Sequence, residues 1–147
     1  MLIKMLPDQV AHYWDILSYG VQQSLPPITI ESPRRMNKIL ESIMLEYMDL
    51  WLITSEKKVQ GLIVTSISYD RNSDVQDLLV YCFYSFRDLP ISLIKKDLNI
   101  LKDYAKSKGC KRLTAYSNVE SVVRFWKAMG SDNYSFLSIP VNGEIDL

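Results

Sequence analysis

The sequence predicts an α+β fold (an α/β mixed sheet) in which helices flank a central sheet, and three observations support it. Residues 75–86 are apolar at most positions, as in a strand that is buried on both faces. After the break at residues 87–90, the apolar spacing becomes 3, 4, 3, 4, which is typical of an amphipathic helix that ends before Gly109. Polar turns and prolines divide the rest of the chain into further strands and helices.

Hydrophobic periodicity and turn residues predict the elements in the order β-α-α-β-β-β-α-β-α-β. The first helix starts at Pro7 and stops before Pro26, and the second starts at Ser32-Pro33. The predicted strands are residues 2–6, 50–54, 59–69, 75–86, 111–117 and 134–141, and the last two helices follow Pro90 and Val119.

The same patterns predict which side chains are buried. In the central strand, strict alternation places Leu79, Tyr81 and Phe83 on one face and the others on the opposite face, namely Leu78, Val80, Cys82, Tyr84 and Phe86. Gly61, inside the preceding strand, predicts a bulge or a close approach. In the helix after Pro90, the polar residues are expected to face water, Asp97 and Asp103 among them. The last helix is expected to bury one stripe, made of Val122, Phe125, Trp126 and Met129.

Length and charge restrict the class of protein. The 147 residues predict a single domain, 1–147, and the 17 basic and 17 acidic residues cancel, which argues against a nucleic-acid partner. The lysine-rich side of the third long helix is interrupted by acids and is interpreted as a solvated face, made of Lys95, Lys96, Lys102, Lys106 and Lys108. No apolar run approaches the ~20 residues of a membrane span, and no signal peptide is recognisable.

The residues with reactive side chains are few. Cys82 and Cys110 are expected to stay reduced in a cytoplasmic compartment. His12 is the single histidine, so no metal site or catalytic triad is predicted. Asp77, Glu46 and Glu31 are the acidic residues that we considered as a general base, and all three are interpreted as solvated or capping groups.

Two segments and the order of elements resemble one family. Residues 105–113 read AKSKGCKRL, and residues 118–130 start with Asn118 and end in RFWKAMG. Over nearly the whole chain, these features resemble the GNAT N-acetyltransferases, in the third helix leading to the fifth strand and in the fourth helix. The pattern also resembles small GNAT-like proteins that phages encode, which implies a viral source and a place in the host cytoplasm or the virion.

The resemblance implies a binding site for acetyl-CoA at the turn before the third helix. In the family, the pyrophosphate rests on backbone N–H groups of a glycine-rich turn, where the helix N-terminus attracts anions. Here Arg87 matches the family's basic residue, whereas Pro90 and Ser92 stand where two small residues belong, and Asp88 is expected to cap the helix. If CoA binds, we expect Arg87, Ser92 and the strand amides near Cys82 to hold it.

The resemblance also implies a general acid on the fourth helix, a position that the family often fills with tyrosine. Phe125 and Trp126 stand there, and neither side chain can donate a proton near neutral pH. We interpret Trp126 as a core residue. The replacement candidates are three tyrosines on predicted strands that border the same cleft, Tyr81, Tyr84 and Tyr116.

Two functions follow from these departures. The first hypothesis is a GNAT-fold protein that has lost efficient acetyl transfer, needs no cofactor, and acts through protein binding or as a structural or accessory component. The alternative is an active acetyl-CoA-dependent N-acetyltransferase with a divergent pyrophosphate-binding turn. A protein partner or self-association is expected at an amphipathic cluster around the second helix and second strand, made of Met44, Tyr47, Met48 and Trp51.

Overall fold

The computed structural model describes residues 1–142, which fall into two compact units divided between Tyr116 and Ser117. A single domain over 1–147 therefore stays a prediction. No helix within residues 1–142 is long and apolar enough to cross a membrane. The elements are β1 (Leu2–Lys4), α1 (Pro7–His12), α2 (Trp14–Gln23), α3 (Arg35–Met44), β2 (Met48–Ser55), β3 (Lys58–Asp70), β4 (Val75–Ser85), α4 (Ile91–Ser107), β5 (Cys110–Ala115) and α5 (Glu120–Ala128).

The first unit contains a mixed sheet with the strand order β1-β2-β3-β4-β5. Strands β1 to β4 are antiparallel neighbours, whereas β5 runs parallel to β4 because α4 carries the chain back between them. The predicted class, a mixed sheet flanked by helices, is confirmed.

Helices cover both faces of this sheet. One face packs against α1, α2 and α3 around a core made of Met5, Val10, Leu17, Val21, Ile39, Ile43, Leu50, Leu62, Val64 and Cys82. On the opposite face, α4 buries Leu98, Leu101 and Ala105, and its Tyr104 ring meets the Trp51 ring edge to face. The apolar sequence of β4 predicts a strand that is buried on both faces. These two helical layers account for that burial.

A bulge in β4 makes the predicted alternation wrong beyond Val80. Val64 of β3 pairs with Cys82, but its neighbour Thr65 pairs with Val80, so Tyr81 is an extra residue. Because paired residues share a face, Val80 lies on the α4 face and Cys82 lies on the face of α1–α3. Tyr81 packs against the same core as Cys82. The alternation rule fails here because it assumes a strand without bulges.

The prediction for Gly61 is confirmed in both its forms. The pairing of β2 with β3 shifts between Ile53 and Thr54, which leaves Gln60 as an extra residue beside Gly61. A Cβ atom on Gly61 would lie 2.6 Å from the main-chain oxygen of Tyr84 in the next strand. The glycine therefore permits a strand-to-strand approach that no other residue allows without movement.

Two predictions about helices are wrong. The predicted first helix is in fact two helices, α1 and α2, with Tyr13 between them. They are separate because α1 packs against α3, whereas α2 packs against β3 and β4. Asp97 does not face water but is buried with 1% exposure. It lies four residues before the buried Leu101, and therefore on the same helical face, which the polar character of aspartate concealed.

The second unit, from Ser117, contains α5, and two predictions about it fail. Residues 134–141 form no strand, because adjacent apolar residues interrupt their alternation and Pro140 has no N–H for a ladder; the apolar ones are exposed, namely Tyr134, Phe136, Leu137, Ile139 and Val141. The predicted stripe of α5 is not fully buried. Phe125, Trp126 and Met129 are half-buried, and Val122 is exposed.

Candidate functional site

The candidate site of the first unit begins where β4 and β5 separate. The two strands pair from Gln76 opposite Cys110 to Val80 opposite Ala115, and the pairing stops there. Residues 81–85 continue β4 beyond the last paired residue of β5. The bulge at Tyr81 stands at this fork, so a bend and the loss of a neighbouring strand coincide.

Backbone groups of β4 face the open side of the fork. The N–H of Phe86 donates to the carbonyl oxygen of Gln60 in β3 at 2.8 Å, so Tyr84 and Cys82, at alternate positions, also turn their backbone groups toward β3. Phe83 and Ser85 turn theirs the other way, where β5 no longer pairs. These two residues offer donors and acceptors to an extended ligand. The resemblance implied strand amides near Cys82, but side-chain patterns carry no signal that identifies Phe83 and Ser85 as the residues with open backbone groups.

The turn that follows β4 leads to an uncapped helix start. Pro90 is the N-cap residue of α4, with φ −59° and ψ 140°, and no side chain caps the helix. The prediction that Asp88 caps it is wrong, because proline takes the N-cap place two residues later. The N–H groups of Leu93 and Ile94 donate to the Pro90 carbonyl, so those of Ile91 and Ser92 remain as the first donors of the helix.

The charged residues of this turn are both exposed. Within residues 1–142, no ion pair or hydrogen bond holds the side chain of Arg87 or of Asp88. Ser85 donates a hydrogen bond from its hydroxyl to the Arg87 carbonyl, which ties the end of β4 to the turn. The Arg87 guanidinium and the N-terminus of α4 are therefore available to an anion. The adjacent Asp88 carboxylate opposes such binding because it carries a like charge.

The register of β4 and β5 brings two of the three candidate tyrosines to the fork. Tyr81 is the bulge residue, and Tyr116 follows Ala115, the last β5 residue paired with β4. Burial raises the pKa of Tyr81 further above its ordinary value of 10.0, so its phenol stays protonated near neutral pH, as an ordinary tyrosine does. Tyr84 lies at the far end of β4, where its ring meets the edges of Tyr19 and Phe86 at 6.0 and 5.2 Å between centroids. Its role as an acid stays a prediction.

The thiol of Cys82 is a core group. It is 1% exposed, it approaches the Val21 carbonyl at 3.7 Å, and burial raises its pKa to about 12. A thiol of this kind is neither a nucleophile near neutral pH nor a side-chain contact for a cofactor. Since its backbone groups are turned toward β3, the strand amides near Cys82 that could contact CoA are those of Phe83 and Ser85.

The residues considered as a general base are not brought to the fork. Asp77 accepts two hydrogen bonds from Arg112, at 2.9 and 2.7 Å, which engages its carboxylate at the opposite end of β4. His12 is exposed on α1, and Glu31 and Glu46 are exposed on either side of α3.

The predicted amphipathic cluster is only partly a surface. Met44 and Tyr47 are exposed, Met48 is half-buried, and Trp51 is 5% exposed. The Trp51 indole donates to the Thr65 hydroxyl at 3.0 Å, so this residue belongs to the interior. A partner at the exposed residues stays a prediction.

Comparison with known proteins identifies the architecture. No protein-family model matches the chain, and no curated protein is similar to it in sequence. Solved structures do match: one described as a probable acetyltransferase superposes with a TM-score of 0.71 at 12% identity, over 98% of this chain and 99% of the other. The fold is that of the GNAT acetyltransferases.

Two further solved structures match the chain in fold. A predicted acetyltransferase from Clostridium acetobutylicum, crystallised with acetyl-CoA, has a TM-score of 0.71 at 9% identity and covers 96% of each chain. Ribosomal-protein-alanine N-acetyltransferase from Brucella melitensis biovar Abortus 2308 has a TM-score of 0.67 at 12% identity, over 97% of this chain and 98% of the other. At such identities the likeness is one of GNAT architecture, so the activity must be argued from the residues.

Proposed function

We propose that this protein is an acetyl-CoA-dependent N-acetyltransferase with a divergent pyrophosphate-binding turn. The observation that carries the proposal is the fork, where β4 continues past β5 with the backbone of Phe83 and Ser85 turned to the open side. The similar protein from Clostridium acetobutylicum was crystallised with acetyl-CoA, which supports the choice of cofactor. The acceptor is an amine of unassigned structure.

The chain's groups fit the cofactor in three ways. The amides of a pantetheine arm can pair with the backbone groups of Phe83 and Ser85, as an added strand would. The pyrophosphate can accept from the free N–H groups of Ile91 and Ser92 at the start of α4. Arg87 can complete the anion site with its guanidinium. Pro90 removes one N–H donor from this turn, which is the divergence that the proposal includes.

Acetyl transfer also requires a proton donor from the chain. When bound, acetyl-CoA supplies an activated acetyl thioester to the amine. The departing sulfur needs a proton, and a neutral phenol at the fork can donate one. We propose Tyr81, the bulge residue, and Tyr116, which follows the last paired residue of β5, as the candidate donors, because a tyrosine phenol is protonated near neutral pH.

A second candidate is a protein that kept the fold but lost efficient acetyl transfer and acts through a protein partner or self-association. The observation that favours it is the pair of unfavourable residues at the helix start. Pro90 offers no N–H, and the Asp88 carboxylate would repel a phosphate with ~1 to 4 kcal/mol at ~4 Å, depending on the dielectric. Cofactor binding separates the two candidates.

Titration with acetyl-CoA is the direct test of the proposed function. We expect calorimetry to give a Kd of about 100 μM or tighter, which corresponds to about −5.5 kcal/mol. Arg87→Gln should weaken binding about fivefold, because an exposed charge-assisted contact contributes about 1 kcal/mol. Arg71→Gln, an exposed arginine in the β3–β4 turn, is the matched control and should leave the Kd unchanged. Absence of binding, together with background thiol release over a panel of amines, would favour the second candidate.

A gain-of-affinity variant tests the role of the turn. Asp88→Gly combined with Pro90→Gly should tighten acetyl-CoA binding about fivefold to tenfold, because it removes a like charge and restores an N–H donor. Asp88→Asn alone isolates the effect of charge and should give the smaller part of the gain. If the double variant binds no better, the aromatic side chains of Tyr84 and Phe86, rather than the turn, limit access.

A further inference from the structure

A second cleft lies on the α4 face of the sheet, within the first unit and at the opposite end of α4 from the turn at Pro90. Its volume is about 450 Å³, in the range of small-molecule sites. It is formed by the C-terminal end of α4, the end of β1, the start of β2 with the residues before it, and the second half of β3 beside Leu78 of β4. Its lining includes Lys4, Glu46, Asp49, Thr65, Tyr104 and Lys108.

The floor of this cleft is polar. Tyr104 donates its phenol hydrogen to Asp49 at 2.8 Å, and the Trp51 indole donates to the buried Thr65 hydroxyl at 3.0 Å. The Trp51 and Tyr104 rings touch edge to face, with centroids 4.8 Å apart. Apolar side chains of equal size could pack between α4 and the sheet without these hydrogen bonds. The polar floor therefore indicates a ligand-binding role in addition to packing.

Two lysine ammonium groups lie on the walls of the cleft, beside the Tyr104 ring. The Lys4 ammonium lies 3.7 Å from one Asp49 oxygen, while the other oxygen accepts from Tyr104. The ammonium groups of Lys4 and Lys108 lie 5.6 and 5.7 Å from the centroid of the same Tyr104 ring. No carboxylate of the described chain is within 4 Å of the Lys108 ammonium. The Asp49 carboxylate is therefore engaged by Lys4 and Tyr104, whereas Lys108 has no ion-pair partner among the described residues.

We propose that this cleft binds a small polar ligand that carries a phosphate or carboxylate group, held between Lys4 and Lys108. The rim adds Glu46, whose carboxylate has no ion-pair partner within residues 1–142 and can accept from a hydroxyl or amine of the same ligand. Ser66 and Tyr47 add further hydroxyl groups. The site is separate from the fork and does not depend on acetyl transfer.

The indole N–H of Trp51 is a reporter at the floor of the cleft. Its NMR signal, assigned with Trp51→Phe, is followed while glycerol 1-phosphate, phosphoserine or succinate is added to about 10 mM, which saturates a site with a Kd near 1 mM. We expect at least one probe to shift the signal with saturation. Glycerol 1-phosphate against succinate distinguishes a phosphate from a carboxylate, and phosphoserine against glycerol 1-phosphate shows whether an added amine and carboxylate strengthen binding more than hydroxyl groups do.

Lysine variants decide whether the shift comes from the proposed contacts. Lys108→Gln and Lys4→Gln should each weaken binding about tenfold, because each removes a charge-assisted contact. Lys106→Gln is the matched control on the same helical turn, exposed and outside the cleft, and should change the Kd less than about twofold. The Trp51 signal itself shows that each variant is folded. The proposal is overturned if no probe shifts the signal or if Lys106→Gln weakens binding as much as Lys108→Gln.

Discussion

Gly61→Ala is expected to lower the free energy of unfolding by about 2 kcal/mol, the cost of overfilling a packed interior. The new Cβ would stand 2.6 Å from the Tyr84 carbonyl oxygen and 3.4 Å from the Ser85 Cα, both main-chain atoms of a paired strand. Main chain in a sheet cannot rotate away as a side chain can, so β3 and β4 must separate locally. Urea unfolding measures the loss, and an unchanged m-value would show that the same surface unfolds.

Gly20→Ala is the matched control for this effect. A Cβ there would meet the Leu62 Cδ2 atom at 2.9 Å and the Tyr84 Cδ1 atom at 3.0 Å, which are side-chain atoms rather than main-chain atoms. Alanine also gains about 1 kcal/mol over glycine inside a helix such as α2, which offsets the crowding. We therefore expect a net change below about 1 kcal/mol. An equal loss in both variants would mean that crowding at Tyr84, and not the main-chain contact, determines the cost.

Asp97→Asn is expected to raise the free energy of unfolding by about 1 to 2 kcal/mol near neutral pH, since a buried carboxylate without hydrogen bonds is costly. Neither carboxylate oxygen of Asp97 has a hydrogen-bond partner in the part of the chain that is described. The α-ammonium of Met1 is 3.9 Å away, but it is itself exposed and donates to the Thr54 carbonyl at 2.5 Å. Its attraction does not replace the lost hydration.

The dependence on pH identifies the cause of this gain. Burial raises the pKa of Asp97 above its ordinary value of 3.8, although the Met1 ammonium and Lys96 oppose the rise. The folded state therefore holds the proton to higher pH than the unfolded state does. The free energy of unfolding falls as the pH rises from about 4 through the raised pKa, and it is level above that. Asp97→Asn lacks this fall, so its advantage should grow from acid to neutral pH.

An exposed aspartate on the same helix provides the control. Asp103→Asn should change the free energy of unfolding by less than about 0.5 kcal/mol at every pH, as surface substitutions usually do. If Asp97→Asn instead destabilises the protein near neutral pH, the pair with the Met1 ammonium outweighs the cost of burial. Urea titrations at several pH values between 4 and 8 measure both variants.

The sequence was sufficient to predict the elements in which a regular hydrophobic pattern continues over many residues. The change from period 2 in β4 to period 3.6 in α4 places both elements within a few residues, and the glycine after α4 marks its end. The hairpin of β2 and β3 follows from two β-branched runs and a polar turn. These signals are local, so a single sequence contains them in full.

Features that depend on neighbours were not predictable in the same way. The extra residue Tyr81 shows only when β4 is aligned against β3, and the burial of Asp97 depends on where α4 meets the sheet. The same distinction between local and neighbour-dependent features applies to the candidate site. Arg87 and Ser92 follow from a motif, whereas the open backbone groups of Phe83 and Ser85 follow from the early end of β5. No side-chain pattern records where a neighbouring strand stops.

The extra residue in β4 has a consequence for any shortening of the chain. Without Tyr81, the strand would regain strict alternation and each later side chain would keep its face, because Val80 and Cys82 already lie on opposite faces of the sheet. Cys82 would follow Val80 directly and stay opposite Val64, in its place among Leu17 and Ile39. The deletion of one codon at the bulge would thus leave the second half of β4 in register, whereas the loss of one residue from a regular strand turns every later side chain to the other layer.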